Sequence, residues 1–560
     1  MKKILSVTLC VALVLSVLGT AAFAAEDGFK AFIATDIHYS ELDSVPGSDD
    51  DFYAVHSTLG LQTALSPQIF DEFLSAAAAS DVDYVFLTGD LTDKSDWQTA
   101  VHLSEKLSAF AEATGKQVFV INGNHDTVNS GEASKSQVDV ATFKGVYAKF
   151  GYSQALAVDE NTCSYTAELK NGYRLIAIDS CLRPGDGSGE LSAELLSWID
   201  AQVKQAKSDG VKLVALMHHG LMEHFKLQAT VAPQYVIHNS EEVCAKFSEW
   251  GIKFVFTGHF HANDVAIYRG KTNVYDVETT SLSCYPCAYR SVDFSGKEVV
   301  IETKNITSIA TDALPEGYTE AQTAAIESDF TGYTYGCTAH GVKNLASSYI
   351  SADRIISLMK LDPESDEASA IRELVPAMIA DLDLPLYGEE GSVEAIAAGM
   401  GYELSESDFA TTWDVIAYLA AAHFAGDEDY GSDSAVIQLL FECVLAVFGN
   451  NSQALSSTVK DSLTGGFFRA LGSDKLADIM TYSNIMSKIR IVSPFEALTD
   501  SLVDYALSGI TVDAEPADNN VTLPGYDNTA DDGVFMRFIH KFLDFFRMIL
   551  NYLKKLFGAV

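Results

Sequence analysis

Five short fragments of this sequence carry residue types that can do chemistry together: Asp36-x-His38, Gly89-Asp90, Gly123-Asn124-His125-Asp126, His218-His219 and Gly258-His259-x-His261. A set that mixes carboxylate, imidazole and amide oxygen suits borderline divalent cations such as zinc, manganese or iron better than calcium, which prefers oxygen alone. Each fragment by itself has an ordinary structural explanation. A Gly-Asp pair is commonly a turn, and a histidine pair is often satisfied within a core. Their placement argues for more, because every one follows, after a single intervening residue, on a short apolar run, at 32–34, 84–87, 118–121, 213–216 and 254–256.

Those runs, with a sixth at 175–178, are short and rich in β-branched and aromatic residues, which favours strands over helix segments. Helix punctuation lies between them. Ser66-Pro67 offers a cap and a first-turn proline ahead of Ile69, Phe70, Phe73 and Leu74. Asp96 can cap a stretch that closes at Gly115, Ser192 and Gly210 bracket another, and Ser240 and Gly251 a third. Alternation of this kind implies an α/β architecture with buried sheet. Open sheets of that type place their binding sites just beyond the strand ends, where all five fragments fall.

In that order the fragments spell D-x-H, G-D, G-N-H-D, H and G-H-x-H, and over about residues 28–309 the chain resembles the calcineurin-like metallophosphoesterase superfamily, of the bacterial secreted type. The resemblance implies a four-layer α/β/β/α sandwich of mixed sheets, with two divalent metal ions (Mn, Fe or Zn) at the strand ends. It assigns Asp36, His38 and His261 to the first metal, Asn124, His218 and His259 to the second, and Asp90 to a bridge between them. His218 is preferred to His219 because relatives ligate through the first histidine of such a pair. Two cations about 3.5–4 Å apart can polarise a phosphoryl group and share a hydroxide for in-line attack. His125, which faces the leaving group in the family, is the expected acid, and Asp93 is expected to orient it. Asp126 should brace its loop, and Asp179 matches no ligand and reads as structural. No G-x-S-x-G elbow appears, and the chemistry needs none.

The implied activity is hydrolysis of a phosphoric ester, with phosphodiesterase slightly favoured over phosphomonoesterase. The alternative is a surface scaffold or binding protein built on a non-catalytic phosphoesterase-like domain. Missing ligands would mark that alternative, and none of the signature residues is missing.

At 560 residues the chain is too long for one core. Residues 26–310 are expected to form the phosphoesterase-like domain, 311–510 an all-helical domain and 511–533 an acidic flexible linker containing proline and asparagine. Residues 534–560 read as a basic amphipathic helix. There Phe535, Phe538, Ile539, Phe542, Phe546, Ile549, Leu553 and Leu556 recur at helical spacing, and Arg537, Lys541, Arg547, Lys554 and Lys555 face one acid, Asp544. An interfacial helix fits that pattern, with docking on another domain or a second copy as its rival. At the other end, Met1-Lys2-Lys3, an apolar stretch over 4–18 and Ala22-Phe23-Ala24 read as a secretory signal spanning 1–25. The expected location is therefore secreted or extracytoplasmic, peripheral on the outer membrane face or cell surface through the tail.

With 77 acidic against 37 basic residues the net charge is −40, which disfavours general nucleic-acid binding but leaves a small phosphorylated substrate open. The cysteines beyond residue 25 are too sparse for a disulfide framework. Cys284-x-x-Cys287 lacks a second such pair to complete a zinc site and reads as a loop pair of no catalytic weight.

Overall fold

The computed structural model describes residues 28–41, 60–128, 136–185, 187–225, 228–388, 390–426, 428, 430, 434–470, 481–489 and 516–526. Among the described residues the thirteen strands are β1 Lys30–Ala34, β2 Tyr84–Thr88, β3 Gln117–Ile121, β4 Ala155–Val158, β5 Tyr165–Glu168, β6 Tyr173–Ile178, β7 Lys212–Met217, β8 Phe254–Thr257, β9 Asp264–Tyr268, β10 Val274–Glu278, β11 Ala288–Asp293, β12 Glu298–Asn305 and β13 Asn520–Pro524. The helices are α1 Ser66–Ala79, α2 Trp97–Thr114, α3 Val140–Val146, α4 Ala193–Asp209, α5 Gln228–Val231, α6 Ser240–Trp250, α7 Glu320–Ser328, α8 Phe330–Tyr349, α9 Ala352–Leu358, α10 Asp366–Asp381, α11 Val393–Met400, α12 Thr412–Ala425, α13 Ala435–Asn451, α14 Ser457–Ala470 and α15 Tyr482–Ile489.

The strands form two mixed sheets, ordered β13-β12-β11-β1-β2-β3 and β4-β5-β6-β7-β8-β10-β9. Within them β1, β2 and β3 run parallel, as do β6, β7, β8 and β10. The sheets meet face to face over an aromatic core. Phe29 stacks on Phe294 at 4.6 Å, and Phe294 in turn meets Phe254 of the other sheet edge-on at 5.5 Å. Outside the first sheet, Phe73 of α1 packs on Phe32 and Tyr289. Outside the second, Ile199 and Val203 of α4 and Val243 and Phe247 of α6 bury Ile176, Ala215 and Val255. The result is the four-layer α/β/β/α sandwich, and both of its sheets lose apolar faces to neighbours on each side.

Two expected caps are in place: Asp96 accepts from the Thr99 N–H (2.9 Å) and Ser192 from the Leu195 N–H (3.2 Å). Two others differ. Ser66 is the first residue inside α1 rather than its cap, since its hydroxyl donates to the Thr63 carbonyl and accepts from the Ser40 N–H. Ser240 likewise begins α6. The capping position belongs to Asn239, whose side chain bridges both backbone groups of Leu191 instead of closing the helix. In both places a tertiary contact took the polar side chain.

The described part of 311–510 is helical and has a core of its own, built on Leu386, Val393, Val415, Leu439, Cys443 and Ala446. The flexible linker expected over 511–533 is corrected by β13, which pairs antiparallel with β12 through Val299↔Leu523 and Ile301↔Val521. Val521 and Leu523 alternate with polar neighbours, so both turn inward and are buried in the sandwich core. Tyr526 follows them in, its ring 5.7 Å from Phe254 and its hydroxyl donating to the Leu213 carbonyl. The stretches 1–25 and 534–560, expected to be a signal and an amphipathic helix, lie outside the described residues. Among the described residues no helix is long and apolar enough to cross a membrane.

Candidate metal centre

The ends of β1, β2, β3, β7 and β8, from both sheets, converge on one place. A strand delivers side chains to alternate faces, so a single point can collect Asp36, His38, Asp90, His259 and His261 only if the backbone turns sharply after each strand. All five residues have positive φ, at 50°, 46°, 46°, 74° and 64°. The left-handed region costs an L-residue roughly 1–2 kcal/mol, and Asp and His are among the side chains that tolerate it. Cross-loop hydrogen bonds hold these turns: the Asp36 N–H donates to the Gly89 carbonyl (3.0 Å), that of His38 to Asp90 (2.9 Å) and that of Gly258 to His218 (2.9 Å). The glycines of the signature are set by close approach. A Cβ on Gly123 would stand 2.1 Å from Asp90 Oδ1, and one on Gly258 2.5 Å from Asp36 Oδ2.

The expected ligands form two groups, Asp36 with His38 and His261, and Asp90 with His218 and His259, while a third set at the rim joins His38 to Asp93 and His125; the donor atoms of each lie within 4.8 Å of one another. His261 Nε2 is 3.1 Å from Asp36 Oδ1, and His218 Nε2 is 3.2 Å from both Asp90 Oδ2 and Asn124 Oδ1. Donors about 2.0–2.2 Å from a common cation are separated by such distances. Asp90 Oδ2 also lies 3.8 Å from His38 Nε2, which places this carboxylate between the groups. His38 is buried with its Nδ1 towards the Asp93 carboxylate (3.4 Å), and its Nε2 has no hydrogen-bond partner among the described residues. A cation satisfies such a nitrogen where no protein acceptor does.

Outer contacts fix which nitrogen faces inward. The His218 Nδ1–H donates to the Thr88 carbonyl (3.0 Å), turning Nε2 to the site. The His259 Nε2–H donates to the Gln234 carbonyl (3.2 Å), leaving Nδ1 for a cation. Asp36 Oδ2 accepts from the Thr35 hydroxyl and the His259 N–H, so Oδ1 is the oxygen turned to the histidines.

Electrostatically the site calls for positive charge. Burial alone would raise Asp36, but His261 and His218 outweigh it and hold the carboxyl well below its usual range. Asp90 is pulled down in the same way, by His218 and His125. Burial likewise opposes charge on His38, yet Asp36 and Asp93 lift it to about 10, and Asp90 and Asp36 lift His218 to about 9. Ionised carboxylates therefore gather cations here, protons when nothing else is bound.

His125 stands at the rim with its side chain 42% exposed. Its Nδ1–H donates to the Asp93 backbone carbonyl (2.8 Å), while Nε2 is 4.0 Å from Asp90 Oδ2. The Asp93 carboxylate turns to His38 Nδ1 instead (3.4 Å), so its expected side-chain role towards His125 is corrected to a main-chain one. Asp126 accepts from the backbone N–H groups of Leu91, Thr92 and Gly123, bracing the Asp90 and Asn124 loops against each other. His219 sits behind the ligands. The Ser180 hydroxyl donates to its Nδ1 and its Nε2–H donates to the Gly187 carbonyl (2.8 Å each), while burial pushes it down to about 4. Asp179 pairs with Arg183 at 2.8 Å. Cys284, read from the sequence as carrying no catalytic weight, stands near enough to His261 to favour the charged imidazole; the described cysteines are all free and buried.

Residues 29–263 match the family described as calcineurin-like phosphoesterase. This part of the chain belongs to that family. The phosphoesterase domain is that of a metal-dependent hydrolase acting on phosphoric esters. No curated protein matches the chain. Similar solved structures include a dimetal phosphatase from Danio rerio, at 11% identity over 50% of this chain and 96% of that one, TM-score 0.36. Others are a predicted phosphoesterase from Streptococcus pneumoniae (12%, 50% and 89%, TM-score 0.22) and a phosphopantetheinyl hydrolase from Mycobacterium tuberculosis (9%, 46% and 91%, TM-score 0.26).

Proposed function

We propose that this chain hydrolyses a small phosphodiester after export from the cytoplasm. The observation that carries the hydrolytic reading is the pair of ligand groups with Asp90 between them and His125 at their rim. Asp36, His38 and His261 would hold one divalent cation, Asn124, His218 and His259 the other, and Asp90 would touch both. Bound there, such ions supply Lewis acidity at phosphoryl oxygens and acidify water. The protein's own part is orientation and proton supply. The Asp93 carbonyl fixes the Nδ1–H of His125, so its Nε2 is the nitrogen that protonates a departing alkoxide.

The preference for a diester is supported by Arg183. Its loop passes beside Asn124, where a Cβ on Gly187 would stand 3.5 Å from Asn124 Nδ2. Yet its guanidinium is committed to Asp179 (2.8 Å) and Thr127 (2.7 Å). A monoester dianion gains more from a guanidinium than the single charge of a diester does. The positive start of the chain and its apolar stretch over 4–18 support export, and the basic amphipathic pattern of 534–560 supports a peripheral place on a membrane.

The test is turnover of an aryl phosphodiester and the matching monoester by the metal-analysed protein, with and without chelator. About two ions per chain, chelator-sensitive turnover and a higher kcat/KM for the diester are expected. Metal-free protein that stays inactive after addition of Mn, Zn or Fe returns the weight to a binding scaffold. Deleting 534–560 should abolish liposome binding and leave hydrolysis of a soluble ester intact.

A further inference from the structure

The loop that presents His259 and His261 is held from two sides. From within the phosphoesterase domain, the Thr280 hydroxyl donates to the His261 carbonyl and the Thr280 N–H to Asn263 Oδ1 (3.0 Å). The other side is covered by the helical region. The last carbonyls of a helix have no partner within it and must find one elsewhere. Those of α12 find this loop and the segment leading into β13. The Asn263 N–H donates to the Phe424 carbonyl (3.1 Å), and the Asn519 side-chain amide donates to the carbonyls of Ala425 (2.8 Å) and Gly426 (2.9 Å).

Side chains complete the joint. His423, buried and held by Glu428 at 2.6 Å, packs edge-on against Phe260 at 5.7 Å and Phe225 at 5.6 Å. Phe260 stands between the two ligand histidines and against Tyr235, whose ring is 4.9 Å from that of His259. Asp518 Oδ1 accepts from the Val265 N–H (3.1 Å), and Arg290 ties the Asp518 carbonyl to the sheet (2.7 Å).

This joint falls on the loop that supplies one histidine to each ligand group. His259 belongs to the Asp90 group and His261 to the Asp36 group. Both have positive φ, a state that persists only when the surroundings over-determine it. We propose that the α12 C-terminus and the Asp518–Asn519 segment are positioning elements of the metal centre, holding the 258–263 loop so that each histidine faces its own carboxylate. The helical region is then a working part of the site rather than an appended domain. This rests on reading the seven residues as metal ligands.

Gly426 gives the test. It closes α12 with φ +72°, and a Cβ there would meet the Asn263 carbonyl oxygen at 2.5 Å. Gly401 closes α11 with φ +96°, and among the described residues nothing lies within 4 Å of its Cβ position. Gly426→Ala and Gly401→Ala therefore carry the same kind of backbone strain, and only the first pushes on the loop. The full chain is stripped of metal and titrated with Co(II), read by the visible absorption of the bound ion, with thermal melting of the metal-free protein as the folding control. Gly426→Ala should weaken Co(II) binding about 10- to 100-fold, shift its absorption bands and lower kcat more than it raises KM. Gly401→Ala should keep wild-type binding and spectrum. Where Gly426→Ala gives no cooperative melt, Asn519→Ala, which removes two of the tethers, is read in its place with the same expectation. Wild-type Co(II) affinity and bands in the folded variant overturn the proposal. A wild-type chain that takes up no Co(II) overturns the metal reading itself, and this inference with it.

Discussion

Asp93 binds His125 through its backbone carbonyl, 2.8 Å from Nδ1, and sends its carboxylate to His38 Nδ1 at 3.4 Å. One residue thus steadies both the candidate acid and a candidate metal ligand, by different atoms. Removing the side chain separates the two tasks. Asp93→Ala should leave the dependence of rate on leaving-group pKa unchanged and weaken metal binding by about 10- to 100-fold, the usual scale for an outer partner of a ligand histidine. A metal titration and a series of aryl esters check this. Loss of the leaving-group dependence with intact metal affinity would restore a side-chain role towards His125.

His125 itself is exposed; its backbone N–H donates to Asp90 Oδ1 at 2.8 Å, and its ring packs edge-on against that of His38 at 4.8 Å. Because its hydrogen bond to Asp90 is main-chain and its ring only packs against His38, His125→Ala should keep full metal content. Turnover should fall by roughly 10²–10⁴, most for esters with poor leaving groups, as for any lost general acid. Unchanged turnover removes the assigned role.

The site was legible because its residues sit in local words of sequence at strand ends, and the turns they need favour Asp, His and Gly. The six apolar runs read as strands lie within β1, β2, β3, β6, β7 and β8 for the same reason. What escaped was non-local. β13 is short and follows the acids Asp513 and Glu515, and only its pairing with β12, more than two hundred residues earlier, reveals it. Asn263 and Asn519, 256 residues apart, carry no pattern that announces a shared helix end. The caps expected of Ser66 and Ser240 failed likewise: Ser66 has the right side chain for one, and a neighbouring loop claimed it first.

Asp90 offers the sharpest test of the paired arrangement, since its carboxylate lies 3.2 Å from His218 and 3.8 Å from His38. Asp90→Asn keeps the shape and removes the charge that two cations would share. Bound metal and activity should both fall by several orders of magnitude, measured by elemental analysis and turnover, and His218→Ala should follow it. Full occupancy of both positions in Asp90→Asn undoes the bridging assignment.

Behind the centre, His224 is enclosed by Asp264 (2.8 Å), Asp276 (3.1 Å) and Glu278 (3.2 Å). Neither oxygen of the buried Glu278 has a hydrogen-bond partner among the described residues. Burial, with Asp276 and Asp264 beside it, pushes this carboxyl up to about 8 from an ordinary 4.5 although His224 pulls the other way. The folded chain therefore keeps a proton that the unfolded chain releases above 4.5. The contribution of Glu278 to stability therefore falls as pH rises from there to about 8, and no further beyond it. Glu278→Gln holds the shape and cannot ionise. Its melting temperature should gain on wild type steadily across that window and run parallel above it, in calorimetry from pH 4 to 9. Curves that stay parallel throughout would mean that Glu278 ionises in the fold as readily as in water, and that His224 alone neutralises it.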